Sequence, residues 1–89
     1  MNPEEREEVD RITKEFYKIK KDEKLSVHEV DDFMSDLSRL IGIYAIDKTN
    51  EIAALIEEML SFGEENNLAV EGSRIHFEDI KKGKFKVKL

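Results

Sequence analysis

The chain contains no cysteine, so neither a disulfide nor a thiolate metal site can hold it together. It contains one proline and four scattered glycines in 89 residues. The glycines form no phosphate-binding motif, and so little proline with so much charge suits helices with solvated faces. Histidine is scarce too: His28 and His76 are the only side chains that titrate near neutrality unless perturbed. Long apolar runs are absent, the uncharged stretches falling well short of the ~18 residues of a membrane span. No leader pattern is visible at the start of the chain. These absences lead us to expect a single cytoplasmic domain over residues 1–89. At this size a chain buries only about 60–65% of its unfolded surface, so it needs a well-packed core or a second copy.

Charge is what the sequence has in plenty. Charged residues make up 40% of it and the net charge is −6. The distribution is uneven: residues 1–80 hold 21 acidic and 10 basic side chains, a net of −11, and residues 81–89 hold five lysines and no acid. Such a body repels nucleic acid, whereas the basic tail attracts anions or the body itself.

The strongest local signal lies at Ser26-Val27-His28-Glu29. It fits a capping box, with the serine hydroxyl accepting from the N3 amide and Glu29 reaching back to the cap. Leu25 and Val30 occupy the hydrophobic-staple positions. The helix that follows is expected over about 27–46, with Val30, Phe33, Met34, Leu37, Leu40, Ile41 and Tyr44 on one face. Its other side is not plainly polar. Ser35, Ser38 and Gly42 form a strip of small residues there, with Ile43 and Ile46 beside it. A helix that is apolar most of the way round is normally buried on more than one side. The strip is therefore either covered by the preceding helix or is a surface for another protein or a second copy.

A further helix is expected over about 49–66, capped by Asp47, Thr49 or Asn50, with Ile52, Leu55, Ile56, Met59 and Leu60 inward. Asn67 suits a left-handed C′ position with Leu68 folding back. The helical phase runs almost unbroken from Tyr44 to Ile52, so one long helix in a dimer is the alternative to a helical hairpin. Upstream, Asn2-Pro3-Glu4-Glu5 opens a helix over about 3–24 whose seam is Val9, Ile12, Phe16 and Ile19.

The C-terminal region alternates. Ile75 and Phe77 interleave with His76 and Glu78, and Phe85, Val87 and Leu89 interleave with lysines around Lys81-Lys82-Gly83. This pattern predicts an antiparallel β-hairpin over about 74–79 and 84–89, and with it a mainly helical α+β fold.

No converging catalytic constellation is apparent. His28 and Asp32 have i,i+4 spacing, which on so acidic a helix is weak evidence for a metal. A calcium loop from Asp47 to Glu58 fails because Ile52 stands where glycine is required. The expectation is a non-enzymatic interaction protein without cofactor or metal. It would use Ser35, Ser38, Gly42, Ile43 and Ile46 together with acidic helix faces. The alternative is a nucleic-acid-binding regulator using Lys81, Lys82, Lys84, Lys86 and Lys88.

Overall fold

Each of the three capping signals opens a helix in the computed structural model, and a fourth helix follows without one. The structure describes residues 1–83. In chain order the helices are α1 (Pro3–Lys20), α2 (Val27–Ile46), α3 (Asn50–Glu65) and α4 (Glu71–Lys81). Among the described residues none is long and apolar enough to cross a membrane.

The caps are made as the residue types require. The Asn2 side chain accepts from the Glu5 amide at 2.8 Å, and the Glu5 carboxylate accepts in return from the Asn2 amide at 3.2 Å. Ser26 and Glu29 repeat the arrangement at 3.1 and 2.9 Å. At α3 the hydroxyl of Thr49 accepts from the Ile52 amide at 3.2 Å, which selects Thr49 from the three candidate caps and breaks the long-helix alternative. α3 ends in a Schellman motif. Asn67 has φ 58°, its amide donates to the Glu64 carbonyl, and the Leu68 amide donates to the Gly63 carbonyl. α1 is shorter than expected, stopping at Lys20 with Lys21 as its C-cap.

The expected β-hairpin is not formed. Its first strand, about 74–79, lies inside α4, and among the described residues there is no strand. The second strand, about 84–89, lies outside the described residues. Burial explains the helix. Val70, Phe77 and Ile80 recur at helical spacing and are each 1% exposed or less. Ile75, which the alternating pattern placed inside, is 56% exposed. Gly83 does take positive φ, at 73°, but just beyond the C-cap Lys82 of a helix. The fold is therefore all-helical over the described residues, not α+β.

Cross-helix contacts set the topology. Glu8 meets Arg39, Arg11 meets Asp36, and Phe16 meets Phe33, so α1 runs antiparallel to α2. Phe33 against Phe62 turns α3 back again, and Arg74 and Lys81 against Glu64 and Glu57 turn α4 once more. α1 and α4 each touch both α2 and α3 but not each other. The four helices thus form a flattened diamond of 43 × 29 × 20 Å, with α2 and α3 across its short diagonal. The outward faces of α2 and α3 consequently lie on opposite broad sides.

The core joins α1, α2 and α3 through an aromatic cluster, with ring centroids of Phe16, Phe33 and Phe62 5.6 to 6.1 Å apart. Ile12, Leu37, Leu40, Ile52, Ile56 and Leu60 are fully buried around it. α4 is seated by Phe77 edge-on to Tyr44, at 5.2 Å, and by Val70 against Gly63. That last approach is close enough to require glycine: a Cβ at position 63 would lie 2.6 Å from Val70 Cγ1.

Candidate functional site

At about 100° per residue, the buried residues of α2 from Phe33 to Tyr44 fill rather less than half its circumference. Ser35, Ser38, Gly42 and Ile46 fall on the opposite side and are exposed. Two ion pairs fix what lies next to this strip. Arg11 Nη2 stands 3.0 Å from Asp36 Oδ1, and Arg39 Nε stands 3.0 Å from Glu8 Oε1. The hydrogen bond from Arg39 holds the Glu8 carboxyl below its ordinary range, and the one to Asp36 holds Arg11 above its own. Both pairs pin α1 along the flank of α2 that carries Asp36 and Ile43, well round from Gly42.

α1 therefore does not cover the strip. A Cβ built on Gly42 meets nothing within 4 Å, and Ile46 is 83% exposed. Of the residues singled out in the sequence, Ser35, Ser38, Gly42 and Ile46 share one open face. Ile43 does not join them, being 4% exposed and part of the core. Sequence phase placed it beside the strip, but α1 buries that flank.

The acidic faces divide in two. Glu51, Glu58 and Glu65 recur at seven-residue spacing and are exposed, Glu51 paired with Arg6 of α1 at 2.8 Å and Glu58 accepting from Tyr17 of α1. Glu57 and Glu64 turn instead toward α4. Arg74 grips Glu64 with Nε and Nη2, both at 3.0 Å, and reaches Glu57 with Nη1 at 3.0 Å. Lys81 adds a contact to Glu57 at 3.2 Å. The Arg74 hydrogen bonds hold the Glu64 carboxyl below its ordinary range. At Glu57 partial burial pushes the other way, and the bonds from Arg74 and Lys81 outweigh it. Sequence reading missed Arg74 as a junction because it assigned that segment to a strand. An arginine at i,i+4 from Glu78 and i,i+7 from Lys81 was the available sign.

Of the lysines considered for nucleic acid, Lys81 is committed to Glu57 and Glu78 and lies over the Phe77 ring at 5.0 Å. Lys82 is exposed at the end of α4. Lys84, Lys86 and Lys88 lie outside the described residues.

A shallow cleft of about 210 Å³ runs between α1 and α3, lined by Val9, Thr13 and Tyr17 of α1 and by Glu51, Ala54, Leu55 and Glu58 of α3, with the Tyr17 hydroxyl donating to Glu58 at 3.5 Å. Two carboxylates line it, but both are engaged, Glu51 by Arg6 Nη1 at 2.8 Å and Glu58 by the Tyr17 hydroxyl, and no nucleophile paired with a base lines it. Ser26 is used by its cap, and His28 and Asp32 stand exposed on α2. Among the described residues no three His, Cys, Asp or Glu side chains gather as metal ligands. Comparison with protein-family models, curated proteins and solved structures returned no match to this chain.

Proposed function

We propose that the chain is a non-catalytic interaction protein that holds another protein, or a second copy of itself, on the outward face of α2. The observation that carries this reading is the pairing of Gly42 with Ile46. A glycine inside a helix costs roughly 1 kcal/mol relative to alanine, and among the described residues nothing beyond the adjoining turns of α2 comes within 4 Å of where the Cβ would be. One turn away an isoleucine stands 83% exposed. An approaching helix would use both features, the glycine for close contact and the isoleucine for apolar burial. Ser35 and Ser38 extend the uncharged strip and can donate or accept across the contact.

The opposite broad side supports a protein partner over nucleic acid. Glu58 and Glu65 are exposed there and would repel phosphate, while Glu51 is offset by Arg6. Lys81 is already neutralised by Glu57 and Glu78, which weakens the lysine-based reading.

The double variant Ser38→Glu, Ile46→Asp tests the proposal. Both positions are exposed, so the unfolding midpoint should stay within about 0.5 kcal/mol of the wild type. Self-association by light scattering, or capture of a partner from the source cell, should weaken by at least about tenfold, the effect of ~1.4 kcal/mol. An unchanged mass and an unchanged set of captured proteins would rule the α2 face out. Ile43→Asp is unsuited to this purpose, because it would place a charge in the core.

A further inference from the structure

α4 differs from the other three helices in how it is held. α1, α2 and α3 each open on a side-chain cap, whereas α4 begins at Val70 with none. It is 11 residues long, below the ~12–15 at which isolated helices become even marginally stable. Gly72 lies in its first turn, and Ile75 is spent on solvent. Among the described residues its buried apolar anchors are Val70, Phe77 and Ile80.

Charge adds to the attachment. Arg74 and Lys81 bind Glu57 and Glu64 of α3, and these four side chains remain between 26% and 48% exposed. Ion pairs so open to water are weak and are screened by salt. The body beneath does not depend on α4 in the same way. The Phe16, Phe33 and Phe62 cluster draws only on α1, α2 and α3, and α1 has no contact with α4.

We propose that α4 is a strap that opens from the α1–α3 body as one unit within the native state. Opening would uncover Tyr44 and the apolar channel between α2 and α3, rimmed by the freed carboxylates of Glu57 and Glu64. The chain would then present two faces in turn: closed, only the uncharged strip of α2; open, an additional apolar channel with an acidic edge. The Arg74 and Lys81 pairs set the balance between the two states, so ionic strength controls it.

Amide hydrogen exchange on the full chain, resolved by residue, tests this. At low salt the α4 amides from Glu78 to Lys81, which bond within the helix, should exchange at least about tenfold faster than those of Leu37 to Ile41. Raising the salt from about 0.05 to about 1 M should widen that gap a further ~3-fold. Arg74→Ala should raise α4 exchange by about 3-fold or more and leave the Leu37–Ile41 amides unchanged. Equal exchange in α4 and α2, a gap insensitive to salt, or an Arg74→Ala effect shared by all four helices would each overturn the proposal, because α4 would then belong to one cooperative unit with the body.

Discussion

Phe16→Ala lowers the stability of the chain by about 3–5 kcal/mol. The ring is 1% exposed. It touches Phe33 of α2 at 6.1 Å and stands edge-on to Phe62 of α3 at 5.6 Å, an interplanar angle of 86°. Its removal therefore opens a cavity where three helices meet. Part of the cost is the lost transfer of the ring from water, and part is the loss of its three aromatic pairs, with Tyr17, Phe33 and Phe62, worth roughly 0.5–1.5 kcal/mol each. Domains of this size have only about 5–15 kcal/mol in all, so the variant should lose a large share of its stability. Urea unfolding followed by circular dichroism measures the loss. A value under about 1.5 kcal/mol would mean that the three rings are not the joint between these helices.

Gly63→Ala and Gly42→Ala should move stability in opposite directions, although each exchanges a helical glycine for the best helix former. At position 63 the new methyl would lie 2.6 Å from Val70 Cγ1. Val70 is 1% exposed and anchors the start of α4, so it has little room to retreat. Overpacking of this kind costs about 1–3 kcal/mol, set against a propensity gain of about 1 kcal/mol. The net expectation is a loss of up to about 2 kcal/mol, expressed largely as loosening of α4. At position 42 nothing lies within 4 Å, so the same exchange should stabilise the isolated chain by about 0.5–1 kcal/mol. The methyl would also hold an incoming helix away, so Gly42→Ala should weaken association while strengthening the fold. Paired urea titrations of the two variants provide the check. A shift of the same sign at both positions would contradict the close contact assigned to Gly63 or the open space assigned to Gly42.

What could be read from the sequence was mostly local. The Ser26–Glu29 box, the Asn2–Glu5 box and the Asn67–Leu68 terminus each depend on atoms a few residues apart, and each forms as the residue types require. The seam of α1 was equally plain, and Val9, Ile12, Phe16 and Ile19 are all buried. α4 was not legible in this way. The six residues from Arg74 to Asp79 satisfy a two-residue alternation, and six residues are too few to separate a strand from a helix by period alone. The helical evidence was spread from Val70 to Ile80 and crossed Gly72, without a cap to mark its start. What decides the matter is non-local: Phe77 against Tyr44, and Arg74 between Glu57 and Glu64. The α2 strip shows the same division. Ser35, Ser38, Gly42 and Ile46 could be placed off the main stripe from phase alone, whereas the burial of Ile43 depends on where Arg11–Asp36 and Glu8–Arg39 hold α1.

Thiol reactivity tests the role of the α2 face most directly, because the chain has no cysteine of its own. A single thiol introduced as Gly42→Cys stands in open space, and one introduced as Ala54→Cys stands exposed on α3, on the other broad side. Each is modified in dilute solution, then at high protein concentration, then in an extract of the source cell. The account predicts that the Gly42→Cys thiol becomes at least about tenfold slower to react in one of the latter two conditions, while the Ala54→Cys thiol keeps its dilute rate. If the Gly42→Cys thiol reacts at the same rate in all three, nothing covers that face and the proposed interaction surface is contradicted.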